Sequence, residues 1–441
     1  MHAIDELAAF VVGHPDGGLP EQARETCSLL VTDLIGATAA GINSQLAKAA
    51  RSASEQIFGQ GQVDVWLTGP ALSIAGAAMA NAAAASALDI DDGHRGAAGH
   101  AGAGIIPAVL AIGQALNVPD QRIFDALALG YDVGLRVATA RPTPTIETYA
   151  SGRWVNYGVA AAVGRMLGLD ARQLAHAMGI AGAEGPIGYP SGSTQYLGST
   201  VKEMIPPAVV AGLIAAFRAK AGATGPRDLL DRDDHFRRAV LTGGLGESWW
   251  VQDCYLKPYA CCRYMHAAVD GILALRQPGK PIFSLRIETF QRGLKLSNER
   301  APHTLEGGQY SYYFSCALAA LRGASALQPV DPISLHDPEV LSLAARIELA
   351  AHSDFDDAFP ESTPCRVILD QGEGPQSLTV PFPLGDVANP MTRSQVTEKF
   401  RRIATANISA DRQDDILLAL DRLTTDGFSE LFAELGARPS R

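Results

Sequence analysis

The sequence predicts a mainly α protein with one large all-helical domain and one smaller α+β domain. Three observations carry that prediction. Apolar residues recur at helical spacing through most of the first 222 residues. Near residue 275 the pattern changes. Gln277-Pro278-Gly279-Lys280-Pro281 is a turn cluster, and Leu285, Ile287 and Thr289 then alternate with Arg286 and Glu288, as on a half-buried strand. From Thr392 the helical spacing returns. The boundaries that follow are residues 1–269 plus 393–441 for the helical domain and 270–392 for the α+β domain.

Each element has its own signal. Residues 21–41 place Leu29, Leu30, Leu34 and Ile35 on one face and stop at Gly41. A helix over 45–58 follows, then a strand-like run from Val63 to Leu67 closed by Thr68-Gly69-Pro70. Residues 71–87 form an alanine-rich helix, and 105–116 and 120–138 two more, the second entered through Pro119. Residues 141–158 read as an irregular loop with Pro142 and Pro144 near its start. Helices over 157–167 and 170–183, a glycine-rich polar loop over 185–199 and a long helix over 206–222 complete this part. In the second part, strands are expected at 283–290, 346–349, 366–369 and 378–380, with a helix over 309–321. The C-terminal helices at 393–405, 413–423 and 428–435 are expected to pack back on the first domain.

Composition narrows the function. The 441 residues are 47% hydrophobic and 19% charged, which is globular rather than disordered. The net charge of −11 argues against a nucleic-acid-binding surface, so an anionic ligand requires a local cationic pocket. Residues 71–88 are apolar but alanine-dominated and broken by Ser73, Asn81 and Ser86, which reads as a packed core helix and not a membrane span. The N-terminus lacks the basic start and apolar run of a signal peptide. The six cysteines form no C-x-x-C pair, so no zinc or iron–sulfur site is indicated, and a cytoplasmic protein is expected.

Several clusters carry chemistry. Between residues 89 and 100 lie Asp89, Asp91, Asp92, His94, Arg95 and His100, punctuated by glycines. One aspartate is explained by helix capping; three with two histidines suit an acid/base and anion-binding loop. Asp and His also suit a divalent ion, but the spacing has no metal-site signature. Lys202, behind a glycine-rich loop and ahead of a buried helix, becomes a usable base if desolvated; snorkelling at the surface is its commoner fate. Arg263 and His266 sit three apart and offer a cation and an acid/base, His266 alternatively being a cap. In the 141–158 loop, Arg153 suits bidentate carboxylate binding and Tyr149 proton transfer, against aromatic packing for Trp154 and Tyr157. The Tyr310-Ser311-Tyr312-Tyr313 cluster reads mostly as core.

Taken in order, the following stretches resemble the MmgE/PrpD family of 2-methylcitrate dehydratases, cis-aconitate decarboxylases and iminodisuccinate epimerases. They are Leu88-Asp89-Ile90-Asp91-Asp92-Gly93-His94, His100-Ala101-Gly102, Gly130-Tyr131-Asp132-Val133, Leu167-Gly168-Leu169-Asp170, Gly198-Ser199-Thr200-Val201-Lys202, Ala221-Gly222-Ala223-Thr224-Gly225-Pro226 and Lys257-Pro258-Tyr259-Ala260-Cys261-Cys262-Arg263-Tyr264-Met265-His266. The resemblance implies that the α+β domain is a lid, that the protein is a homodimer and that no organic cofactor is used. By position, Asp89, His100, Lys202, His266 and Tyr313 match the family's active-site residues. Two departures stand out. Gly93 replaces the threonine of an Asp-Asp-Thr segment, and Gly152-Arg153-Trp154 replaces Gly-Phe-His.

The chemistry implied is removal of a proton α to a carboxylate of a small di- or tricarboxylate. Lys202 and Tyr149 are then the acid/base pair, with Asp89, His100 and His266 completing the catalytic set. Arg153, Arg263, Tyr313, Asp92 and His94 bind substrate, and no metal takes part. The two departures favour an epimerase of an iminodisuccinate-like acid over a 2-methylcitrate-type dehydratase or a cis-aconitate-type decarboxylase. A non-catalytic helical binding protein is the alternative from another class.

Overall fold

The computed structural model describes residues 1–142, 145–188 and 198–437. It is a mainly α fold with a smaller α+β part, as the sequence predicts. The first part is a layered bundle: α1 (Ala3–Gly13), α2 (Glu21–Gly41), α3 (Gln45–Phe58), α4 (Ile74–Ser86), α5 (Gly102–Leu116), α6 (Asp120–Thr139), α7 (Val155–Met166), α8 (Ala171–Glu184) and α9 (Ile205–Lys220). Caps fix several starts. Ser44 and Ser73 accept from backbone N–H groups of α3 and α4, and Asp170 with Gln173 forms a capping box on α8. The small residues of α4 leave it apolar on every side, and it is buried on every side, packed against α2, α3, α5 and α9. A side-chain carbon at Gly41 would collide with the Ala84 carbonyl, so glycine is what lets α2 and α4 approach.

Several elements differ from the expectation: the strand expected at 63–67 lies at Gln60–Asp64, the helix expected from 71 starts at Ile74 behind the strand Ala71–Leu72, and Pro338–Arg346 is a helix that was not expected. Helix α1 precedes the first expected one, and the expected 309–321 helix is broken. A short turn, Leu305–Gln309, ends at Tyr310, and Ser311 caps a new helix, Tyr312–Arg322, by accepting from the Phe314 N–H. That break decides which tyrosine enters the site.

Four short strands lie outside the main sheet: β1 (Gln60–Asp64), β2 (Ala71–Leu72), β3 (Gly93–His94) and β4 (Cys254–Tyr255). β3 and β4 pair antiparallel, with Gly93 opposite Tyr255 and His94 opposite Cys254. The α+β part is built on β5 (Ser284–Thr289), β6 (Glu348–Ala351), β7 (Cys365–Asp370) and β8 (Pro375–Val380), in the order β6-β5-β7-β8. Only β5–β6 is parallel among these pairs. Leu285, Ile287, Val367 and Leu369 face inward onto the helices His266–Leu275 and Tyr312–Arg322. The C-terminal helix Arg393–Ala404 returns to pack on α2. Its buried Lys399 donates to Asp33 (2.6 Å) and to the Ile90 carbonyl (2.7 Å), tying the chain end to the 89–100 loop. Among the described residues no single helix is long and apolar enough to cross a membrane.

Candidate active site

The site begins where α4 ends. Asp89 has a φ of 54°, a left-handed conformation that turns its side chain into the interior, and the residue is 0% exposed. An isolated carboxylate there would be too costly to remain ionised. Asp89 is not isolated: Lys202 Nζ donates to Oδ1, and Lys257 Nζ donates to Oδ2 at 2.6 Å. Burial alone raises the Asp89 carboxyl, but these two lysines overcome it and hold it well below the usual carboxylate range. The same exchange runs in reverse at Lys202. Burial lowers the amine, while Asp89 and Glu203 raise it above its ordinary value. Lys202 is therefore an ammonium in this structure, a donor and not a free base.

Lys202 is delivered by an unusual piece of backbone. Lys202, Glu203 and Met204 have φ of 36°, 53° and 60°, three left-handed non-glycine residues in succession ahead of α9. Such conformations persist only where neighbouring contacts hold them. Glu203 supplies those contacts: its carboxylate accepts from the Ser151 N–H (3.1 Å), the Ser151 hydroxyl (2.8 Å) and the Tyr310 hydroxyl (2.9 Å). Tyr310 Oη in turn accepts from Lys202 Nζ at 2.9 Å.

His100 stands beside this network. Nδ1 lies 3.0 Å from the Asp92 carbonyl oxygen and 3.1 Å from Asp91 Oδ2, so it carries a proton; Nε2 is 3.4 Å from Asp89 Oδ1. Burial lowers the imidazole, but Asp91 and Asp89 outweigh it and raise His100 above its ordinary value. Asp89, His100 and Glu203 bring ligand-type atoms within 4.8 Å of one another. Both Asp89 oxygens already take an amine, so this donor set suits cationic side chains and not a metal ion.

Above lies a pocket between the two parts of the molecule. The helical side contributes His100, Tyr149, Glu203, Tyr255 and Arg263, and the α+β part contributes Arg292, Lys295 and Tyr310. Arg292 stacks on the Tyr149 ring, 4.5 Å from its centroid, and its Nη2 is buried with no hydrogen-bond partner among the described residues. A desolvated guanidinium nitrogen without an acceptor is a place for a carboxylate oxygen.

The structure thus gathers Asp89, Lys202, His100 and Tyr149 in and under one pocket, with Arg263 on its wall. It places the other sequence candidates elsewhere. Asp92 turns into the bundle, where it accepts from the Tyr131 hydroxyl at 3.2 Å, and burial with Asp91 beside it pushes its carboxyl up to about 8. His94 stacks on Trp250 and accepts from the Ala97 N–H, and burial lowers it to about 4. His266 is fully buried, with Nε2 donating to the Cys261 carbonyl at 3.0 Å. Burial and Arg263 together hold it well below its ordinary value. Arg263 spends its nitrogens on the Leu384 carbonyl (3.0 Å) and on Asp386 (3.2 Å), which also pairs with Arg95. Arg153 is exposed and lines a second cavity with Arg141. Tyr313 sits under Arg300, and it is Tyr310 whose hydroxyl meets Lys202. Pro144 and most of the 185–199 loop lie outside the described residues.

Sequence reasoning missed Lys257, Glu203, Tyr310, Arg292 and Lys295. Lys257 opens a stretch already singled out, and Glu203 adjoins Lys202, so position offered a hint for both. Arg292 and Lys295 sit on a short turn, Gln291–Lys295, with no motif around them.

A helical bundle and a small α+β part enclose a pocket lined by cationic and hydroxyl-bearing side chains, the class of architecture to be matched. The comparisons with known proteins narrow it to a family. The MmgE/PrpD N-terminal domain matches residues 5–247 and the MmgE/PrpD C-terminal domain residues 259–424, so the chain belongs to the MmgE/PrpD family. A cis-aconitate decarboxylase of Aspergillus terreus is 24% identical over 447 residues, covering 92% of this chain and 90% of that protein. A cis-aconitate decarboxylase-like protein of Aspergillus oryzae is 23% identical over 471 residues, covering 97% and 96%.

Proposed function

We propose that the chain is a lyase that binds a small di- or tricarboxylate in this pocket and eliminates carbon dioxide or water from it. The observation that carries the reading is the protonation pattern. Lys202 is an ammonium on Asp89, two aspartates raise His100 above its ordinary value, and the Tyr310 hydroxyl bridges Lys202 and Glu203. Such a pocket supplies protons and stabilises developing negative charge. Arg292 and Lys295 hold the substrate carboxylates. In decarboxylation the C–C bond breaks, carbon dioxide leaves, and the electron pair left on carbon spreads into an adjoining unsaturated or carboxyl group. A proton from the donor array then closes the carbon. That step needs no added base, metal or organic cofactor, and the decarboxylase relatives support it.

An epimerase of an iminodisuccinate-like acid is the second reading. Tyr149, in the same pocket as Tyr310 and His100, favours it, because inversion requires a second acid/base group. For either reading a homodimer is proposed, and light scattering of the purified chain checks it.

The test is proton NMR of the enzyme in D2O with cis-aconitate, citrate, 2-methylcitrate, malate and iminodisuccinate isomers. Carbon dioxide release or a new alkene signal supports the lyase. Deuterium entering the α-carbon with inversion, and neither of those signals, replaces it by the epimerase. No change in any acid sinks both.

A further inference from the structure

We infer that Gly93 and Tyr255 form one functional unit, in which the Tyr255 hydroxyl is a substrate-contacting hydrogen-bond donor that occupies the space of a residue-93 side chain. The inference rests on the pocket binding a carboxylate, and goes beyond it by assigning a further recognition residue.

Four observations lead there. Gly93 and Tyr255 are directly opposed in the β3–β4 pair, so their side chains would share one face. A β-carbon on Gly93 would lie 2.5 Å from the Tyr255 hydroxyl oxygen and 2.6 Å from the ring carbon that bears it. The phenol therefore lies across Gly93, and glycine is required for it to do so. Second, Tyr255 is only 5% exposed and lines the pocket that holds His100, Tyr310 and Arg292. Third, the ring is held rigidly. Arg263 stacks 4.6 Å from its centroid, and Arg263 is itself fixed by main-chain carbonyls and Asp386. Fourth, no hydrogen bond to the Tyr255 hydroxyl is formed among the described residues, and a hydroxyl on a residue this little exposed calls for a partner.

The neighbourhood fixes what the hydroxyl does. Burial pushes the phenol up, far from any working pH, so it stays protonated and donates. Two residues on, Lys257 donates to Asp89, whose charge also reaches the Tyr255 phenol. An anionic oxygen of the substrate is the matching acceptor. Any side chain at position 93 would push the ring out of this place.

The test is calorimetric titration with cis-aconitate and citrate, with a melting curve for each variant. Tyr255→Phe keeps the ring and its packing and removes only the hydroxyl. About ten- to hundredfold weaker binding at an unchanged melting temperature is expected. Gly93→Ala weakens binding to a similar extent in the native background. It has no further effect in a Tyr255→Ala background, because the group it displaces is gone. Tyr255→Phe binding as tightly as wild type overturns the assignment of the hydroxyl. Equal losses from Gly93→Ala in both backgrounds overturn the coupling. Wild-type protein that binds neither acid, nor 2-methylcitrate, malate or iminodisuccinate, overturns this inference together with the proposed function, whereas the first two results leave that function standing.

Discussion

The floor and the rim of the pocket are built on opposite principles. The floor, made of Asp89, Lys202, Lys257 and His100, is buried, and every charge in it has a partner of opposite sign. The rim, made of Arg292, Lys295 and Tyr149, is partly exposed, and the buried nitrogen of Arg292 has no acceptor among the described residues. Paired buried charges fix protonation states before substrate arrives. An unpaired cation at an opening waits for an anion. The floor is thus expected to govern turnover and the rim binding.

Asp89→Asn is expected to have the largest effect. It leaves two buried lysines facing a neutral amide, and the loss of a partner in a buried ion pair costs about 3–5 kcal/mol. Chemical denaturation should show that drop, with activity abolished. Lys202→Met is gentler on the fold, because Asp89 keeps Lys257. It should lower kcat by about 100- to 1,000-fold with little change in KM. Arg292→Met should do the converse, raising KM about ten- to hundredfold with kcat nearly intact. If Arg292→Met lowers kcat as much as Lys202→Met does, the floor–rim division fails.

The pH profile follows from His100. Its folded pKa is raised, so its positive form and its stabilising contribution are fully present below the ordinary value near 6.5. Both are lost as pH rises through the higher folded value. kcat is therefore expected to fall on the alkaline side, and His100→Gln should flatten that limb. Asp89 runs the other way: its contribution is present above 3.8 and is lost as pH falls through its depressed value. The smallest effect is expected from His94→Gln. His94 is held neutral against Trp250 and lies outside the pocket, and a glutamine oxygen can still accept from the Ala97 N–H, so kcat and KM should stay within about twofold.

These contrasts show what a sequence can carry. Helices α2 to α9 were legible because burial imposes a period on apolar residues, and the 89–100 loop because six charged or titratable residues in twelve are conspicuous. Lys202 was legible through the family resemblance, its place ahead of a buried helix alone fitting a surface lysine as well. The remaining members depend on three-dimensional placement. Lys257 reaches Asp89 across 168 positions, and Arg292 meets Tyr149 only because a turn of the α+β part faces the bundle. Tyr310 and Tyr313 look equivalent in the chain. The Ser311 cap restarts the helix between them, leaving one on Lys202 and the other under Arg300. Asp89 and Asp92 are three apart in the same loop, yet one is pulled down by lysines and the other pushed up to about 8 by burial and Asp91. Only partners separate them, and partners are not written locally.

The left-handed run Lys202–Glu203–Met204 has a consequence for laboratory evolution. Each such residue costs about 1–3 kcal/mol, whereas glycine adopts this conformation freely. A library ranked on heat resistance alone should therefore enrich glycine at position 204. The winners should outlast the parent at high temperature and turn over more slowly, because the amine of Lys202 would then be aimed by a looser hinge. Ranking on surviving activity instead of surviving fold should keep Met204 in place.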